Sequence, residues 1–193
     1  MKKIVSVILA LTLTLGLAAC GGKAPQETTP ATEVIPVENP ASALEILETV
    51  WGAYAEEEKF PVIGGDMGSP VDGAPGNYNI ADENISYSLL VPAEQLANVT
   101  EAASMIHMMN ANSFTCAAFK LTGTTAADFG AAMKDAILNN QWMCGFPDSL
   151  HIRAIGDQYV IVAFGVTDAM TPFENHLAEA YPGAEIIASE PIV

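Results

Sequence analysis

SFTCAAFKLT, residues Ser113 to Thr122, and QYVIVAFGVT, residues Gln158 to Thr167, decide the fold. Laid side by side at an offset of 45 positions, they place Phe114 on Tyr159, Ala118 on Ala163, Phe119 on Phe164 and Thr122 on Thr167. Each stretch is short and rich in aromatic and apolar residues, which reads as a strand. Behind each comes a turn and then apolar residues at helical spacing. The first such helix runs from about Ala126 to Asn139, with Phe129, Ala132, Met133, Ala136 and Ile137 inward. The second runs from about Met170 to Ala180, with Phe173, Leu177 and Tyr181 inward. In front of each repeat strand lies a strand-like partner. Ser104 to Met109 precedes the first across a turn at Asn110-Ala111-Asn112, and Leu150 to Ile155 precedes the second across a hairpin turn at Gly156-Asp157. The unit is a β-hairpin followed by a helix, used twice (ββα-ββα). An α+β fold follows, with a four-stranded, mostly antiparallel sheet and helices packed on one face. The other face is either covered by an N-terminal helix or left open to a partner, and Ile186 to Ala188 could add an edge strand.

That N-terminal helix begins near Asn39 or Ser42. Pro40 suits a first-turn position, and Ser42 with Glu45 fits the S-x-x-E capping box. Leu44, Leu47, Val50, Trp51 and Tyr54 form its apolar stripe, and Glu56 to Glu58, disfavoured at a helix C-terminus, mark its end before Pro61. Gly64 to Asn79 (GGDMGSPVDGAPGNYN) reads as a long Gly/Pro connection of Ω type. It has neither a phosphate-loop pattern nor, at Asp66 and Asp72, the spacing of a calcium loop. From Ile85 to Val99, around Pro92, strand and short helix stay open as alternatives.

Upstream, Lys2 and Lys3 precede an apolar stretch from Ile4 to Leu17, too short to span a bilayer, and small residues then lead to Cys20. Leu17-Ala18-Ala19-Cys20 resembles the lipobox of bacterial lipoproteins, in which the leader is cut before a cysteine whose thiol and amine are acylated. The resemblance implies a signal peptide at 1–19, a mature chain from Cys20, and a lipid anchor holding the protein at a membrane, facing outside the cytoplasm. Residues 20–40 carry Pro25, Pro30, Pro36 and Pro40 among Thr and Glu, the composition of an extended spacer. Residues 41–193 form one domain.

From Cys20 onward 5 basic residues face 23 acidic ones, a formal charge of −18. Nucleic acid is excluded as a partner, because its affinity is built from Lys and Arg on phosphates. Anionic lipid headgroups repel the head as well, so membrane attachment falls to the acyl chains. Cys116 and Cys144 either pair as a disulfide in this exported setting or serve as two small buried apolar residues.

Among candidate chemistries, Met105, His107 and Met109 share one strand face, with Cys116 a hairpin turn away, and soft ligands of this kind suit copper(I). The competing reading is an apolar strand with methionine in the core. His107, His151 and His176 are the three histidines. No nucleophile, zinc, dithiol or dinucleotide motif accompanies them, and no cofactor is expected. Carboxylate pairs leave no local signature, so acid/base chemistry stays an alternative. The loop Gln141-Trp142-Met143-Cys144-Gly145-Phe146-Pro147 carries bulky apolar residues. Trp142 and Phe146 either close the end of the core or form an exposed anchor for a partner.

Met108-Met109-Asn110, Phe119 at the end of its strand, the helix after it, and Gly156-Asp157-Gln158-Tyr159-Val160-Ile161-Val162 complete a second likeness. With the lipobox and acidic linker, they resemble small uncharacterised lipoproteins of Gram-positive, clostridia-like bacteria carrying a C-terminal domain of unknown function. That resemblance covers about Ile85 to Val193 and implies extracytoplasmic anchoring without any catalytic residues. The expected function is a non-enzymatic binding or interaction module, using the sheet face or the Trp142–Phe146 loop. The alternatives are an exported enzyme or enzyme accessory factor with carboxylates as acid and base, and a Met/His copper-handling lipoprotein.

Overall fold

A computed structural model describes residues 40–192. The expected signal segment, Cys20 and the linker before residue 40 lie outside the described residues. The two repeat stretches are strands, β5 (Phe114–Leu121) and β7 (Tyr159–Gly165), and they pair directly with each other, antiparallel, from Phe114↔Gly165 to Lys120↔Tyr159. Their hairpin partners are β4 (Val99–His107) and β6 (Ser149–Ile155), so the middle of the sheet runs β4-β5-β7-β6. β4 starts five residues earlier than the pattern at Ser104 indicated and stops at His107, short of Met109.

The sheet has eight antiparallel strands rather than four. On one side β8 (Glu185–Pro191), the expected edge strand, pairs with β6. On the other, the stretch expected as an Ω-type connection supplies β1 (Val62–Gly64), β2 (Val71–Asp72) and β3 (Gly76–Tyr78). β1 and β3 both pair with β4, and β2 pairs with β1. The glycines make this corner possible. A Cβ on Gly64 would lie 2.2 Å from the backbone nitrogen of Gly76, a separation no side chain tolerates. Asp66 ties the connection down: its carboxylate accepts the backbone N–H groups of Gly68 (2.7 Å), Ser69 (3.0 Å) and Asn79 (2.9 Å). Those bonds, chiefly that of Asn79, hold its pKa below the ordinary carboxylate value.

Successive residues of β5 and β7 point to opposite faces, and both faces are buried. Phe114, Cys116, Ala118, Tyr159, Ile161 and Ala163 belong to one core layer, and Phe119, Leu121, Val160, Val162 and Phe164 to the other. Residues matched by the repeat share a face.

Helices cover both faces, and the two repeat helices lie on opposite faces rather than together on one. α1 (Ala43–Ala53) and α4 (Thr167–Ala180) pack on the first through Ile46, Leu47, Val50, Phe173 and Leu177. α3 (Ala126–Leu138) packs on the second through Phe129, Met133 and Ile137. The Ser42 hydroxyl accepts from the Glu45 N–H (3.1 Å), as the capping pattern predicts, while the Glu45 carboxylate reaches back to the Ala41 N–H. α1 stops at Ala53, ahead of the Glu56–Glu58 run. The stretch left open from Ile85 to Val99 is helical: α2 (Ile85–Ser88) and a 3-10 turn (Ala93–Asn98), with Val99 opening β4. Among the described residues no helix is long and apolar enough to cross a membrane.

Candidate functional site

On the second face the coverage is uneven. α3 sits over β6, β7 and β8, while the ends of β4 and β5 are left to the short stretch around α2. Between them, the cross-strand row Ile106–Thr115–Phe164 is flanked by two short segments, Tyr87 to Leu90 at the end of α2 and the loop Asn140 to Gly145. The result is an open cleft of about 410 Å³, within the size range of small-ligand sites.

Its rim is apolar and exposed. Met143 is 89% exposed and Tyr87 85%, with Met109 half-exposed beside them; Phe146, 66% exposed, follows on the same loop. Leu90 lines the cleft with a φ of +56°, a left-handed conformation that costs a bulky residue about 1–3 kcal/mol and is held only where its surroundings enforce it. None of the residues lining the cleft is Asp, Glu, Lys or Arg, in a chain with 23 acidic residues. The one titratable imidazole, His107, is stacked on Phe60 at 5.1 Å, and burial lowers its pKa below the usual value. Its Nδ1 accepts the Met109 N–H at 2.9 Å, which leaves the proton of the neutral ring on Nε2. The cleft therefore carries no net charge near neutrality.

The two aromatic residues singled out in the loop take different roles. Trp142 is half-buried and packs against Phe164 with ring centres 5.5 Å apart, closing the end of the second core layer. Its indole Nε1–H is buried and has no acceptor. Phe146 faces outward. Cys144 is exposed and lines the cleft, whereas Cys116 is buried on the opposite face, and the two are not bonded.

The soft-ligand set divides in the same way. Met105 and Cys116, register partners on β4 and β5, are sealed in the first core layer, while His107, the last residue of β4, and Met109, just past it, line the cleft. His151 lies elsewhere, between β6 and α4. The Glu174 carboxylate there receives the Nε–H of Arg153 (2.8 Å), with His151 Nδ1 at 3.6 Å and Ser189 Oγ 3.5 Å from that same nitrogen. Both groups approach one edge of the imidazole, so the ring does not bridge hydroxyl and carboxylate as a proton relay requires. His176 is a third separate case, packed on Tyr54 at 4.5 Å.

Tyr87 and Leu90 enter the cleft without a sequence signal of their own, whereas Gln141 and Cys144 lie in the loop that the sequence singled out. Tyr87 and Leu90 come from the stretch whose periodicity was ambiguous, and a left-handed leucine cannot be read from composition. Comparison with protein-family models, curated proteins and solved structures gives no match.

Proposed function

We propose that the chain is a membrane-anchored, extracytoplasmic lipoprotein whose folded head is a binding module, with the cleft beside Trp142 as its contact site. The lipobox-like sequence at Cys20, the proline-rich spacer and the likeness to small clostridial lipoproteins support the anchor. One observation carries the binding reading: an open, charge-free cleft with an exposed rim of Tyr87, Met109 and Met143 on an otherwise strongly acidic chain. Contiguous exposed apolar surface of this kind marks contact sites, and methionine supplies apolar contact that adapts to its partner's shape.

Two substitutions test the two halves of this reading. Cys20→Ser should move the protein from the detergent-dependent membrane fraction to the soluble one, and unchanged retention contradicts the anchor. Cross-linking on intact cells with the full-length protein should give a discrete adduct that Phe146→Asp together with Met143→Asp abolishes. An adduct pattern indifferent to both changes excludes the cleft as the contact site.

A further inference from the structure

We infer that the rim of the cleft is a site for a soft monovalent metal ion, copper(I), held by the Cys144 thiolate and the thioethers of Met109 and Met143. The inference goes beyond the binding reading above, since it needs no macromolecular partner. It also replaces the Met105, His107 and Met109 set suggested by the strand pattern, which the fold divides between two faces.

Placement comes first. Met143 and Cys144 belong to the loop between α3 and β6, and Met109 to the turn between β4 and β5, yet all three line one cleft. The two segments meet backbone to backbone. A Cβ on Gly145 would stand 2.5 Å from the Asn110 carbonyl oxygen, and Gly145 takes a φ of +73°, so glycine permits the approach. Cys144 and Met109 each precede one member of that contact pair. The Met109 N–H, donated to His107 Nδ1 at 2.9 Å, fixes the backbone there. The same bond keeps His107 out of the ligand set, because a metal on Nε2 would need the ring proton on Nδ1, where the Met109 N–H already points.

Donor chemistry comes second. Thiolate and thioether ligands select copper(I) over harder ions. Among the described residues no three His, Cys, Asp or Glu side chains come together as metal ligands, and no carboxylate lines the cleft, so zinc and the oxygen-seeking cations lack donors there. One thiolate balances the single charge of copper(I), and thioethers add none, so the ion leaves no net charge in an apolar cleft. Exposure is the third feature. Met105, Met133 and Met170 are buried, whereas Met109 is 54% and Met143 89% exposed beside the exposed Cys144. These two thioethers are not core fillers, and an unbranched side chain with three rotatable bonds can turn its sulfur toward an ion.

The test is a competition titration of the full-length chain carrying Cys20→Ser, in detergent, with copper(I) kept reduced by ascorbate and shared between the protein and the coloured chelator bicinchoninate. Of the three cysteines, this leaves Cys144 and the buried Cys116. The expected result is uptake of a single equivalent per chain, with Cys144 shielded from a thiol reagent in proportion to the copper bound. Cys144→Ser should weaken binding about 100-fold, and Met109→Leu with Met143→Leu about tenfold, the range in which groups around a bound metal act. Leucine matches methionine in volume, so the double variant keeps the rim apolar while removing its sulfurs. Uptake no greater than in Cys144→Ser overturns the inference. So does unchanged affinity in the double leucine variant, which reduces the site to a single thiol, and so does displacement of the copper(I) by an equal concentration of zinc(II). The cellular adduct should persist in the double leucine variant. Absent copper(I) binding with the adduct still lost in Phe146→Asp, Met143→Asp therefore removes the metal site and leaves the contact site standing.

Discussion

At Glu174 two opposing effects meet on one carboxylate. Burial between β6 and α4 would raise its pKa, and the contacts from His151 and Arg153 outweigh that, holding the folded value below the ordinary carboxylate range. A carboxyl depressed by folding adds stability above its unfolded pKa, and that stability is lost as pH falls through the folded value. Glu174→Gln should therefore cost about 3 kcal/mol at pH 7, where it strands the Arg153 guanidinium, 18% exposed, without its counter-charge. The difference between variant and parent should shrink on acidification below about pH 4. Urea unfolding at pH 7 and pH 3 reads both numbers, and a pH-independent difference contradicts the ion-pair account. Residues of this kind were poorly legible in the sequence. Glu174 is one carboxylate among many, and its closest partner, Arg153, arrives from a strand 21 positions earlier. Asp66 is harder still, because the groups it accepts are backbone N–H groups that no residue type announces.

Among the elements, length decided what could be read. α1 and α3 repeat their apolar positions over three turns, and a side-chain cap opens each, Ser42 for one and Thr125 for the other. Their starts and buried faces follow from the sequence. β1, β2 and β3 are two or three residues long, too short for any period to register, and they lie in a stretch whose glycines and prolines signal turns. What holds them is backbone contact, which glycine permits and side-chain patterns do not record. Gly64→Ala would press a methyl group onto Gly76, and Gly76 in turn is 2.7 Å from the Gly65 nitrogen by the same measure. The substitution should cost about 3 kcal/mol and strip hydrogen-exchange protection from β1 to β3 while β5 and β7 keep theirs. Equal loss of protection across the sheet would mean that the corner and the central strands open as one unit.

For the molecule as a whole, the central hairpins were legible and the wrapping around them was not. The uninterrupted apolar run from Tyr159 to Phe164 is buried at every position, the pattern of a strand covered on both sides, whereas helices on one face alone would ask for alternation. The cleft arises from that wrapping, where α3 covers three strands and leaves the ends of β4 and β5 to shorter segments. Wrapping on both faces also divides the two cysteines of the head. Cys144 stands at the surface, and Cys116 is sealed beneath α1 and α4, where burial pushes its thiol well above the usual pKa. A thiol reagent applied to the folded domain should modify the exposed Cys144 without unfolding and Cys116 only when the domain opens globally. The second rate should rise with denaturant in step with the unfolding equilibrium. Comparable rates at the two sites would contradict a closed core around β5. The chain thus carries a built-in clock of its own persistence, one sulfur reporting exposure at once and the other counting how often the whole fold comes apart.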